Sequence, residues 1–312
     1  MKDKEMRYLV LGAGAIGGYF GAMLLRGGAD LSFLVRPQRA AQLAERGLVV
    51  KAPDGNIECS VRTMLSGEVD GHYDVVLLAC KAYDLDSAME AIAPALGSDS
   101  FILPFQNGVN HISILVDRFG PQRVLGGKTF ANCWLSPEGD ITRRAGGPDQ
   151  TSFGELTGER SSRCEAIQRA LAAGGAASTI SENIVGELWA KHFAFVVVAT
   201  IAALTRAPAG EIAATSSGAA FVASVFDECT RVTNAEGHPA PNDIKERVRG
   251  HYARIGSPYR PSILNDFEAG RRTEGEHTIG DLVRRADLHG VAVPILRAAL
   301  CNVQVHEGRV WK

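Results

Sequence analysis

The chain has 312 residues, 46% hydrophobic and 22% charged, with 33 basic residues against 35 acidic ones for a formal net charge of −2. That length allows two domains, each burying its own core. The near-neutral balance lacks the basic footprint of a nucleic-acid or anionic-membrane binder, which leaves a small soluble molecule as the expected partner.

The charged opening MKDKEM passes directly into an apolar strand at 7–11, and glycines arrive before a signal-peptide core can form. A helix is expected at 16–25, strands at 31–35 and 73–80 (YDVVLLAC), a helix at 85–96, a strand at 101–104 and a helix at 109–119. Strands alternating with helices predict an α/β domain built on a Rossmann-type parallel sheet with helices on both faces. From 124 to 181, shorter strand-like pieces with the turns SPEGD and AGGPD are expected to extend one edge of that sheet.

After Ser181, read as an N-cap, the pattern becomes helical: 216–236 closed by Gly237, 242–255 after PAP, 279–289 before Gly290, and 294–306. The expected division is therefore an α/β domain at 1–182 and an all-α domain at 183–312. The longest apolar run, 193–204, is about half a membrane span. Six cysteines (Cys59, Cys80, Cys133, Cys164, Cys229, Cys301) lie far apart without CxxC spacing. That spacing points to reduced thiols in a cytoplasmic protein rather than to zinc or disulfides.

The stretch LGAGAIGGYFG sets Gly12, Gly14 and Gly17 in GxGxxG spacing, directly after a strand and opening a helix. In that context the turn Gly12, Ala13, Gly14, Ala15, Ile16, Gly17 is expected to hold a dinucleotide pyrophosphate against the helix amino terminus. At the end of the second strand, where an NAD site keeps an acid for the ribose 2′-hydroxyl, the chain reads FLVRP. Arg36 there suits a 2′-phosphate, so NADP is the expected cofactor. Lys81, at the carboxyl edge of the third strand (ACKAYD), reads either as a contact to cofactor phosphate or ribose or as an exposed lysine. Asn107 in PFQNGVN reads either as an amide reaching nicotinamide ribose or substrate or as an Asn-Gly turn.

In GELWAKHFAFVVVAT, Lys191 stands where a helix turns from exposed to buried. Hydride delivered to a ketone leaves an alkoxide that needs a proton, and a partly buried lysine is a suitable donor. The bland alternative is an i,i+4 ion pair with Glu187. Ser262, Asp266, Glu274, Glu276 and His277 cluster further on, but Glu276 and His277 are adjacent and HExxH spacing is absent, so no metal is expected. A single carboxylate orienting substrate or lysine is the simpler reading.

Taken in order, VLGAGAIGGYFG, LVR, CKAYD, QNGV, GELWAKH and PSILND…RRTE…GDLVRRADLHGVAVP resemble the ketopantoate reductase (2-dehydropantoate 2-reductase) family over nearly the full length. The resemblance implies a Rossmann domain followed by a helical domain, with the active site in the cleft between, and NADPH-dependent reduction of 2-dehydropantoate to pantoate in pantothenate biosynthesis. Position by position, it assigns Lys191 as general acid, Glu274 as active-site glutamate and Asn107 to nicotinamide and substrate. It assigns Ser262 to the substrate carboxylate, and Arg36 and Lys81 to NADP. A homodimer is compatible with this reading.

The chain also departs from the family. Phe195, Ala199, Tyr259 and Ile279 stand where asparagines are expected, so part of a polar substrate cradle is replaced. Two rival functions stay open at this level. One is a hydroxy-acid dehydrogenase of the 6-phosphogluconate type, against which the TEGEH…HGVAVP segment argues. The other is a non-catalytic NADPH-binding regulator, against which the retention of Lys191 and Glu274 argues.

Overall fold

A computed structural model describes residues 6–53, 55–69, 71–144 and 150–310. The AGGPD turn and the first five residues lie outside these. The chain divides into two compact units, one of residues 1–106 and 111–185, the other of 107–110 and 186–312. The sequence pattern puts the break at 182/183. It gives no sign that Asn107–Asn110 groups with the later residues.

In the first unit the chain runs β1 (Arg7–Leu11), α1 (Ala15–Arg26), β2 (Asp30–Leu34), α2 (Pro37–Arg46), β3 (Leu48–Lys51), β4 (Ile57–Cys59), β5 (Arg62–Met64) and β6 (Tyr73–Leu78). It continues through α3 (Leu85–Ile92), β7 (Leu96–Pro104), α4 (Asn110–Phe119), β8 (Leu125–Thr129), β9 (Cys133–Leu135), β10 (Ile141–Arg143), β11 (Thr151–Glu155), α5 (Ser162–Ala173) and β12 (Thr179–Ile180). The main sheet has the order β5-β2-β1-β6-β7 and is parallel throughout.

Its central strands are apolar without alternation because both faces are covered. Tyr8 and Val10 of β1 pack with α1 and α5, while Leu9 and Leu11 pack with α3 and α4. The chain order reverses on either side of β1. The crevice at the carboxyl ends of β1 and β6 is thus the switch point where such sheets bind ligands.

The helix expected at 85–96 stops at Ile92, and a single 3-10 turn at Ala93–Ala95 leads into β7. Pro94 is the reason, since it donates no N–H and crowds the preceding turn. The strands after 124 do not simply widen the main sheet. β8 and β11 form a three-stranded sheet with β12, tied to β7 by one bridge at Ile102–Val124, while β9 and β10 join β3 and β4 in a separate four-stranded sheet. The SPEGD turn closes the β9–β10 hairpin, with the Gly139 amide donating to the Ser136 carbonyl at 3.0 Å. The Ser181 hydroxyl accepts from the Asn183 amide (3.0 Å), one residue before the next helix starts at Ile184.

The second unit contains α6 (Ile184–Thr205, from its third residue on), α7 (Ala209–Ala213), α8 (Gly218–Ala235), α9 (Asn242–Tyr252), α10 (Ser262–Glu268), α11 (Gly275–Leu288) and α12 (Pro294–Val310). α11 begins four residues before the pattern at 279 suggests, because Thr273 Oγ1 accepts the first free amide, that of Gly275 (3.1 Å). α6 is 22 residues long and, by length and composition, could cross a membrane. The apolar run at 193–204 understates it because the helix opens a full nine residues earlier. Most of it is buried: 72% of its most apolar window lies inside the protein, as befits a core helix.

A buried acid joins two of these helices. Glu228 of α8 accepts from the Ile295 amide at 3.0 Å and the Leu296 amide at 2.9 Å, capping α12 from 67 and 68 residues away.

Candidate functional site

The glycine turn leaves β1 with Gly12 at φ +92°, a conformation glycine adopts without strain. A side chain at Gly17 would run into the Gly12 carbonyl and the Ala79 side chain, so helix and strand meet only through glycine. Gly14 has nothing within 4 Å of a notional Cβ, which is the space a ligand needs to reach backbone amides. α1 carries no acid in its first turn, leaving its positive end open to an anion. Ala15 and Ile16 form that first turn and are half-buried.

Beside the turn is a cavity of about 410 Å³ lined by Gly12, Ala13, Gly14, Arg36, Arg39, Ser66, Cys80 and Asp84 among others. These residues fit a dinucleotide: the turn suits pyrophosphate and the guanidinium at the end of β2 suits a 2′-phosphate. Arg36 is exposed, and its Nη2 donates to Asp84 Oδ1 at 2.7 Å. Arg39 is a second guanidinium that the sequence reading missed, although RPQR places it one turn into α2. Its Nε donates to the Ala13 carbonyl (2.9 Å), Nη1 to Gln42 (3.2 Å), and Nη2 is buried without a hydrogen-bond partner. Burial pulls its pKa down, and Asp140 acts in the opposite sense. Arg39 thereby ties α2 to the glycine turn. At the end of β6, buried Gln106 donates to the Cys80 carbonyl at 3.0 Å, while its own carbonyl oxygen has no partner. Lys81 is exposed, at the start of the short turn Ala82–Asp84.

In the second unit, Asn107 Nδ2 donates to Glu274 Oε2 at 3.0 Å, joining residues 167 positions apart. Glu274 is buried at the N-cap position of α11, yet its side chain makes no cap hydrogen bond. The carboxylate serves Asn107 instead. Lys191 is half-buried on α6. Ser262 is the exposed first residue of α10. Among the replaced asparagine positions, Ala199 and Ile279 are fully buried. Tyr259 stacks on His251 with ring centroids 3.7 Å apart, and burial raises its phenol to about 12. Among the described residues no group of three or more His, Cys, Asp or Glu side chains is placed to hold a metal.

His192, next to Lys191, is completely buried, and neither ring nitrogen is hydrogen-bonded. Its Nε2 lies 3.6 Å from Asp281 Oδ2, which Arg285 Nε already holds at 2.9 Å. Burial lowers the imidazole pKa to about 4, with Arg285 acting the same way and Asp281 against it.

A parallel sheet with a glycine turn at its switch point, followed by a helical unit, defines a Rossmann-type dinucleotide-binding protein. Residues 8–158 match the ketopantoate reductase PanE/ApbA family, and residues 183–307 match that family's carboxyl-terminal region. An uncharacterized oxidoreductase, YkpB of Bacillus subtilis, is 35% identical over 97% of this chain and 99% of its own. A 2-dehydropantoate 2-reductase of Halobacterium salinarum is 29% identical over 94% of this chain and 96% of its own. The crystal structure of a PanE/ApbA family ketopantoate reductase from Ralstonia eutropha superposes with a TM-score of 0.88 at 27% identity, covering 98% of this chain and all of that one. The chain belongs to the ketopantoate reductase family, whose members are NAD(P)-dependent oxidoreductases.

Proposed function

We propose that this protein reduces the ketone of 2-dehydropantoate, or of a closely related 2-oxo acid, with NADPH. The observation that carries the reading is the Asn107–Glu274 hydrogen bond, which joins two residues assigned to one active site by family position. Arg36 in the nucleotide cavity, with no acid at the end of β2, supports NADPH.

Nicotinamide, when bound, supplies hydride to the carbonyl carbon. The new alkoxide oxygen takes a proton from Lys191 Nζ, and water returns the lysine to its charged form. Buried Glu274 holds the Asn107 side chain in one orientation, with the amide oxygen still available to accept a hydrogen bond from substrate or ribose. Ser262 offers an exposed hydroxyl for the substrate carboxylate. Phe195 and Ala199 supply no amide, so the distal hydroxyl of 2-dehydropantoate contributes less to recognition here than in a site with the full cradle.

The test is NADPH oxidation with 2-dehydropantoate, 3,3-dimethyl-2-oxobutanoate and pyruvate. The first two are expected to turn over within about a hundredfold of each other in kcat/KM, since one unpaired hydroxyl costs about 1–3 kcal/mol. Lys191→Ala should lower kcat by about 10²–10⁴ while NADPH affinity holds. Failure of all three acids would favour a non-catalytic NADPH-binding role. Wild-type turnover in the variant would remove Lys191 as the acid.

A further inference from the structure

Asp84 stands at the N-cap position of α3 (φ −101°, ψ 3°), where an aspartate ordinarily accepts a backbone amide of the first turn. It makes no such bond. Its carboxylate reaches out of α3 to Arg36, 48 positions earlier at the end of β2, and accepts Nη2 at 2.7 Å. Both residues line the 410 Å³ nucleotide cavity, and Asp84 is the one carboxylate among its described lining residues.

The partners differ in freedom. The Arg36 side chain is 76% exposed, whereas that of Asp84 is 25% exposed. The guanidinium can therefore leave the carboxylate for a ligand while the carboxylate stays in place. Arg39, the other guanidinium of the cavity, holds the Ala13 carbonyl through Nε and Gln42 through Nη1, and makes no bond to Asp84.

We propose that Asp84 is a cofactor-specificity residue: it competes with a ribose 2′-phosphate for Arg36 and so narrows the preference of the site for NADPH over NADH. The inference rests on the reading of Arg36 as the 2′-phosphate ligand. A 2′-phosphate must displace the carboxylate from Arg36 and then stay close to a fixed negative charge. A 2′-hydroxyl meets neither obstacle, because it is neutral and can donate to Asp84 with the Arg36 pair intact. An exposed ion pair is weak, so the competition is modest, on the order of three- to tenfold in affinity, and strongest at low salt.

The test is calorimetric titration of the ligand-free protein with NADPH and with NADH, at low and at physiological salt, for wild type, Asp84→Asn, Asp84→Ala and Arg36→Ala. Both Asp84 variants are expected to bind NADPH about three- to tenfold more tightly, with NADH unchanged or slightly weaker, and the gain should shrink as salt rises. Unchanged or weakened NADPH binding with NADH affinity retained would overturn the proposal, because it would make Asp84 a support for Arg36 rather than a competitor. Retained NADH binding also certifies that each variant is folded. An NADPH preference that appears only after Asp84 is replaced would support the proposal while sinking the NADPH reading of the natural chain. Arg36→Ala that leaves NADPH binding untouched would remove the premise and the proposal together.

Discussion

His192 makes the stability of the helical unit depend on pH in a calculable way. The ring is buried beside Trp189, between α6 and the Asp281–Arg285 pair of α11, and Arg285 is paired in turn with Glu236 (2.5 Å). Its pKa falls from 6.5 to about 4, so the folded state binds this proton more weakly than the unfolded chain does. The sign follows directly. The stability tied to a neutral His192 is complete above the unfolded value of 6.5 and is lost as pH falls toward 4. With about 1.4 kcal/mol per unit of pKa difference, the loss relative to neutral pH is about 2 kcal/mol at pH 5 and about 3 kcal/mol at pH 4. Urea unfolding of wild type and His192→Leu from pH 7.5 to 4 measures it. Carboxylates remote from His192 cancel in the difference. Relative to wild type, the variant should gain about 3 kcal/mol across that range, whatever its stability at pH 7.5. Parallel stability curves would refute the reasoning, since they would mean that His192 carries no proton difference between the folded and unfolded states.

The glycine turn separates folding from binding. Gly14→Ala should leave thermal stability nearly unchanged while weakening NADPH binding at least tenfold, whereas Gly17→Ala should reduce both, because only the second side chain meets protein. Equal melting temperatures for the two variants would contradict this. Glu228→Ala should cost about 2–3 kcal/mol in urea unfolding, because two amides of α12 lose a charged acceptor. A loss below about 0.5 kcal/mol would show that water replaces the cap. Glu274→Ala should lower kcat at least tenfold with NADPH affinity retained, and Glu274→Gln, which keeps an acceptor for Asn107, should recover part of it. Equal kcat for the two variants would show that holding Asn107 is not what the carboxylate does.

The sequence by itself determined what depends on neighbours along the chain. β1, the glycine turn and α1 are legible because an apolar run, GxGxxG spacing and a helical apolar face are all local signals. Arg36 is legible for the same reason, lying at a fixed distance past the turn, and so is the change from α/β to all-α near residue 182. Tertiary structure alone decided which distant groups meet. Short strands such as β9 and β10 carry no label for a partner, so the pairing of β10 with β3, and of β9 with β10, rather than with the main sheet is settled by packing. The apolar length of α6 fits a membrane or a core equally well, and only the helices around it decide for the core. Glu228 and Asp84 look like ordinary surface acids in the sequence, and Glu274 stands out there only by its family position. Folding brings each to a donor from 48 to 167 positions away, where desolvation or a cavity wall gives the charge its consequence.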